Sequence, residues 1–449
     1  MLFLIFLNVI GKTTANFAIM KQMIVILTVL LTLLPASARM TLNDCLRYAV
    51  EHAHDNIINR LEVEKASADK RIAASELMPS LSLSSSGNLS FGRNIDPETN
   101  TYDNKQTLST GFGLYMSIPV FDGLVKINTL KIADISRQRQ MSQLDIDRDR
   151  ITFDVIKAFY NVDYCNAMVN QMKTQLQRDS LDLVATQRAE NLGVKSGADV
   201  ARLVALVASD EYELANQRGL LAKAFSSLKS AMGMPLDDQP LNLDFDTPLV
   251  DSNQSCVNPH ISEAQLALRQ SEYELRAARG AFSPRISLNA GISTSYYRMF
   301  GNNAPTPASF NSQWNNNMGE YVGFSVSIPL FTGLYNTNKL KRAKINLDQS
   351  RVKLEKTKYE VACQTSEAEL DVKTAAIELD AAAKRLDAEQ VAYNAVHRRF
   401  ELGSASVIDL YTAGAQLVAA RSALEGKRIQ KIISEITLNY YMGIKLIKD

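Results

Sequence analysis

An excess charge of either sign is missing from this sequence. Its 49 lysines and arginines are balanced by 48 aspartates and glutamates across 449 residues. Without a basic surplus there is no electrostatic footprint for DNA or RNA, so nucleic acid is excluded as a partner. Metal and catalytic motifs are missing as well. Cys45, Cys165, Cys256 and Cys363 show no CxxC or other ligand spacing, and His52, His54, His260 and His397 form no HExxH pair. No GxSxG, P-loop or dinucleotide fingerprint occurs, so neither an enzyme nor a metal or cofactor site is expected. Whether Cys45 and Cys256 pair is left open by the sequence, whereas Cys165 falls on a helical seam that suits a small buried thiol.

Long apolar runs are missing beyond Ala38, and none approaches the ~18 residues of a spanning helix. Before it, Lys21 precedes the apolar stretch from Met23 to Leu34, and Pro35-Ala36-Ser37-Ala38 closes with an A-x-A cleavage site. Residues 1–38 therefore read as an export signal, with 1–19 or 1–22 as an N-terminal extension if Met20 or Met23 is the start. No Cys stands at the cleavage point, which argues against a lipoprotein.

Glycine and proline are scarce, and their placement is informative. Residues 124–192 contain neither. Met141, Leu144, Ile151, Val155, Ala158, Val162, Cys165, Val169, Met172 and Leu176 recur there at 3–4 spacing, a coiled-coil seam. Residues 335–402 repeat the pattern with Ala368, Val372, Ala375, Leu379, Ala382, Leu386, Tyr393, Val396 and Phe400. Helices of this length would run roughly 100 Å at 1.5 Å per residue. Each ends at a short turn, Gly193-Val194-Lys195-Ser196-Gly197 and Gly403-Ser404-Ala405-Ser406, after which helices over 198–232 and 407–442 return.

The chain is a duplication. SIPVFDGL at 117–124 recurs as SIPLFTGL at 327–334, and Met232-Gly233 recurs as Met442-Gly443, each 210 residues apart. The first unit spans 39–232 and the second 260–449, with an irregular belt over 233–259 carrying Pro235, Pro240, Pro248 and Pro259. Each opens on a helical stretch, 41–77 or 260–280, that stops before a proline. The apolar period then falls to two. Strands are predicted over 80–91, 107–119, 285–297 and 320–329, with Leu, Ile, Val and Phe on one face and Ser, Gly and Asn on the other. About ten residues suits a tilted membrane strand, and a small uncharged face suits a crowded barrel interior. Polar loops at 92–106 and 300–318, with Tyr296, Tyr297, Phe300, Trp314 and Tyr321 near the strand ends, suit an outer rim. Pro119 and Pro329 are expected to end a strand, and Gly123 and Gly333 to permit the bend into the long helices.

The paired segments LMPSLSL/FSPRISL and SIPVFDGL/SIPLFTGL, with HRRFELGSASVIDLYTAGAQL at 397–417, resemble the TolC-like outer-membrane efflux channel family across residues 41–445. That resemblance implies a mainly helical chain with a membrane β-barrel portion. Three copies with four strands each would complete a twelve-stranded barrel continuous with a helical tunnel in the periplasm of a Gram-negative bacterium. It also implies a homotrimer in outer-membrane lipid, docking at its helical tips to a periplasmic adaptor and an inner-membrane RND or ABC transporter. The expected function is an outer-membrane conduit for efflux or type I secretion. A periplasmic coiled-coil adaptor without a barrel is the alternative, and it leaves the four alternating strands unexplained.

At the tips, Ser196-x-x-Asp199 and Ser406-x-x-Asp409 read as capping boxes of the returning helices. The resemblance places Asp199, Asp409 and Phe400 at the periplasmic entrance, and Gly193 to Gly197 and Gly403 to Ser406 at the docking tip. The sequence departs from the family's gate, with Ala405 in place of an Arg, Thr412 in place of an Asp, and Glu190 as the first repeat's counterpart of Phe400. A gate locked by that salt-bridge set is not expected.

Overall fold

The computed structural model describes residues 39–95, 100–236, 241–245, 258–301, 306 and 308–444. The export signal at 1–38, Pro240, Pro248 and Cys256 lie outside the described residues. In chain order the elements are β1 (Met40–Thr41), α1 (Leu42–His52), α2 (His54–Ser75), β2 (Ser80–Ser90), β3 (Arg93–Ile95), β4 (Tyr102–Asn104), β5 (Gln106–Phe121) and α3 (Val125–Asn191). There follow α4 (Gly197–Met232), β6 (Leu243–Asp244), α5 (Pro259–Gly280), β7 (Arg285–Phe300), α6 (Phe310–Asn316), β8 (Gly319–Ser327), α7 (Tyr335–Glu401) and α8 (Val407–Tyr441).

The two long helices have 67 residues each, so each runs roughly 100 Å. They are stable only through their neighbours, because an apolar seam without a partner gains nothing. The return helices α4 and α8 pack along the distal parts of α3 and α7, while α2 and α5 pack near the sheet. α5 lies between α3 and α7, whereas α2 packs chiefly on α3. The main core sits partway along α3. There Val155, Ile156, Phe159 and Val162 meet Leu42, Cys45 and Leu46 of α1, Leu228 and Met232 of α4, and Ile429 and Ile436 of α8. The belt reaches this core through β6, which pairs in parallel with β1 (Met40 with Leu243).

Several elements differ from the sequence expectations. The helix expected over 41–77 breaks at Ala53, whose ψ of 128° is extended, and buried Asn56 turns its side-chain amide to the Val50 carbonyl. The break lets α1 fold inward onto the core. Cys45 is a free buried thiol there, pushed up to about 12 chiefly by burial, and Cys165 is free and buried on its seam. Pro119 does not end its strand. β5 continues to Phe121 through a register shift between Pro119 and Phe121, past the end of β2, where the strand has one neighbour and a lost N–H matters least. Conversely β8 stops at Ser327, two residues before Pro329.

The four long strands form one antiparallel sheet in the order β2-β5-β7-β8. Its register sets Leu81, Met116, Ala290 and Val322 in one row, with Leu83, Leu114, Ile292 and Glu320 in the next. The apolar residues of all four strands thus share one face, and it is open: Leu83, Val322 and Phe324 are 78–79% exposed. Among the described residues β2 and β8 are paired on one side only. The loop expected over 300–318 contains α6, which covers the part of β7 that outruns β8. Gln313 accepts from the Tyr297 N–H and donates to the Tyr297 carbonyl, and Asn317 donates to the Ser295 carbonyl. Trp314 packs at 5.2 Å from Phe112 and 5.6 Å from Phe310, which reaches Tyr296.

The strand-to-helix junctions explain the repeated octapeptide more fully. Gly123 (φ 74°) and Gly333 (φ 60°) are left-handed, and so are the leucines after them, Leu124 (φ 64°) and Leu334 (φ 65°). Two consecutive left-handed residues turn the chain from sheet to helix, and at a leucine this costs about 1–2 kcal/mol. The residue before each glycine caps the new helix: Asp122 accepts from the Lys126 N–H at 2.9 Å, and Thr332 from the Asn336 N–H at 3.4 Å.

Candidate functional site at the helical tips

Each long helix ends where a glycine takes the left-handed conformation without crowding, Gly193 and Gly403 both at φ 76°. The turn is closed by Val194 N–H to the Ala189 carbonyl and by Ser404 N–H to the Arg399 carbonyl. The two caps that follow are not equal. In α8 the Ser406 hydroxyl accepts from the Asp409 N–H while Asp409 Oδ2 accepts from both the Ser406 N–H and hydroxyl. In α4 only the hydroxyl exchange with Asp199 is made. The Ser406 N–H and hydroxyl hold the exposed Asp409 carboxyl below its ordinary range, so it stays ionised.

Phe400 is buried, packed with Tyr393, Val407, Leu410 and Leu203, and so joins α7, α8 and α4. The Lys195 ammonium lies 4.4 Å over its ring, and two turns away Arg178 lies 5.3 Å over Tyr393. Two cations of the first hairpin thus cover two aromatics of the second. Phe400→Ala is expected to cost about 3 kcal/mol through the cavity it leaves, against about 0.5–1 kcal/mol for Lys195→Ala. Thermal unfolding of the two variants checks the ranking. Ala405 packs at the edge of the same cluster, and the Thr412 hydroxyl donates to the Ile408 carbonyl.

Above the tip lies an acidic cluster that pattern reading missed. Asp179, 2% exposed, accepts from the Gln175 amide at 2.7 Å, and Asp182 faces His397 at 3.3 Å. Burial and the neighbouring Asp179 carboxyl push Asp210 of α4 up to about 8, so it is protonated at neutral pH. Arg178 opposes this, and Tyr393 and Arg421 stand nearby on α7 and α8. A carboxyl raised in the fold makes the protein less stable as pH climbs from about 4 towards about 8, because ionisation is free only in the unfolded chain. Asp210→Asn is expected to flatten that slope and add on the order of 1–2 kcal/mol at pH 9 after solvent screening. Melting curves from pH 5 to 9 test it. The signal in sequence was an Asp on each of two facing helices, visible only once their register was known.

Exposed apolar side chains crown the tips: Leu192, Val194 and Leu402 are 75–80% exposed. Among the described residues no His, Cys, Asp and Glu group could hold a metal ion, and no helix is long and apolar enough to cross a membrane.

The profile of the outer membrane efflux protein family matches residues 54–234 and again 252–444, one match on each repeat. The chain belongs to the outer membrane efflux protein family. It is 23% identical over 416 residues to the toluene efflux pump outer membrane protein TtgC of Pseudomonas putida, covering 90% of this chain and 82% of that one. With the cation efflux system protein CusC of Escherichia coli K12 it is 22% identical, over 85% of this chain and 82% of CusC. A crystal structure of CusC superposes with a TM-score of 0.76 at 20% identity, covering 91% and 93% of the two chains. The protein is accordingly an outer-membrane efflux protein, and the barrel-less adaptor alternative is set aside.

Proposed function

We propose that three copies of this chain close one conduit, a twelve-stranded barrel in the outer membrane continuous with a helical tunnel through the periplasm. The observation that carries this is the sheet. Four strands turn their apolar side chains to one open face, and among the described residues β2 and β8 each have one edge unpaired. Such edges in lipid would strand backbone donors and acceptors, so β8 of one copy must pair with β2 of the next. The helices support the same operation. α5 fills the space between α3 and α7, whereas α2 exposes Ile57, Ile58, Leu61 and Ile72. α7 exposes Ile345, Val352 and Tyr359, a complementary flank. This head-to-tail contact repeats until it closes.

The exposed Leu192, Val194 and Leu402 would seat a periplasmic adaptor, which couples the tunnel to an inner-membrane RND or ABC transporter. Asp199 and Asp409 would ring the entrance with carboxylates. Phe400, buried between hairpins, holds the tip together there. The test is the mass and shape of the protein extracted from outer membranes in detergent. A trimer well over 100 Å long is expected by light scattering and electron microscopy. A water-soluble monomer or dimer would refute the proposal.

A further inference from the structure

The face of the sheet opposite the lipid-facing residues is built almost wholly from Ser, Gly, Asn and Thr. Between Arg285 at its helical end and Tyr297 near the loops, two described side chains on this face are larger than Asn, namely Tyr115 and Tyr321. They stand in one row: Ser82, Tyr115, Gly291 and Tyr321 are successive partners across β2, β5, β7 and β8. Both rings lean onto the glycine between them. A Cβ built on Gly291 would lie 2.7 Å from the Tyr321 ring and 3.0 Å from that of Tyr115. One on Gly113 would lie 2.5 Å from the Tyr115 hydroxyl and 2.6 Å from its ring carbons. Each ring therefore occupies the volume that a side chain at the glycine would have filled. Tyr115 is 36% and Tyr321 48% exposed, so neither is buried by this arrangement.

We propose that Gly291 and Gly113 form a shelf that sets the bore of the exit barrel, by letting the rings of Tyr115 and Tyr321 lie along the wall instead of across the lumen. The proposal rests on the three-copy barrel, in which the row recurs three times and six tyrosines face one stretch of the lumen. A methyl group on the shelf has no room beneath the rings. β5 and β7 are fixed by their ladders, so the rings must leave the glycine, and a ring lifted off the wall enters the lumen. Gly291 is thus a positioning residue for passage: it touches no cargo, and it decides the largest solute that clears this stretch.

The experiment is single-channel recording of the purified protein in planar bilayers, with graded polyethylene glycols to size the opening. Gly291→Ala is expected to lower conductance roughly twofold and to exclude polymers that wild type admits. Adding Tyr115→Ala and Tyr321→Ala to it should restore both. Truncating the two tyrosines alone should change conductance far less than Gly291→Ala does, because rings lying on the wall obstruct little. If Gly291→Ala fails to assemble, the triple variant should assemble, since the clash is then gone. Wild-type conductance in Gly291→Ala, a loss that persists without the rings, or a large gain from tyrosine truncation alone would each overturn the shelf. Absence of any current from the wild-type protein would instead refute the conduit itself.

Discussion

Gly123→Ala should abolish the assembled protein, while the same change at Gly333, its partner in the repeat, should be tolerated. At Gly123 a Cβ would lie 2.2 Å from the Gly280 carbonyl oxygen and 2.6 Å from the Ser283 side chain. Gly280 is bound by the same contact, because its own Cβ would meet the Gly123 oxygen at 2.3 Å. Here the turn from β5 to α3 is pressed, backbone on backbone, against the turn from α5 to β7, and neither can yield without shifting a strand or a helix. To that overlap is added the left-handed φ of Gly123, worth about 1–2 kcal/mol for any L side chain. Together they should exceed about 4 kcal/mol, the range in which single changes unfold marginal proteins. Gly333 has the same φ region but no atom within 4 Å of its Cβ position. In the proposed trimer it faces α2 of the next copy, and at the place of Gly280 that helix carries Ser75, a residue with a side chain of its own. Because Ser75 already carries a Cβ, the two backbones cannot approach there as closely as Gly123 and Gly280 do, and the conformational cost dominates. Folded protein recovered from outer membranes measures both variants, and equal loss would show that the junctions are equivalent after all.

The contrast shows where sequence reading stops. Periods of 3.6 and two, repeated at a fixed offset, were enough to place the long helices, the strands and the faces of the sheet. Those features depend on residue type every few positions, which a sequence displays directly. Pro119 and Ala53 show the limit. A proline marks a lost donor, but only the register tells whether a donor was needed there, and β5 passes through Pro119 because β2 has already ended. Ala53 breaks α1 from α2 with no Pro or Gly to announce it; the break is imposed by the core that α1 must reach. At the tips the caps were legible in Ser-x-x-Asp. The Asp179–Asp210 pair, the cations over Phe400 and Tyr393, and the tyrosines folded over Gly291 were not, because each joins elements far apart in the chain.

Neutralising Asp199 and Asp409 together should remove most of the cation preference of the channel while leaving its conductance and assembly nearly intact. In a closed trimer each copy would contribute both carboxylates to one narrow opening, and clustered charge of one sign at a constriction concentrates the counter-ion. A preference of several-fold for potassium over chloride would then fall towards unity in the double Asn variant. Asp409 accepts from the Ser406 N–H and hydroxyl, which hold its carboxyl below the ordinary range. Selectivity due to Asp409 should therefore survive acidification to about pH 4 and vanish only below it. The same sign governs its cap: the stabilisation is present above the ordinary carboxylate pKa and is lost as pH falls through the lowered one. Asn keeps an acceptor for capping, so stability should change by less than about 1 kcal/mol. Reversal potentials across a potassium chloride gradient, taken from pH 3 to 7 for wild type, each single variant and the double, give the readout. Unchanged selectivity in the double variant, with current intact, would mean that the carboxylates cap their helices and nothing more.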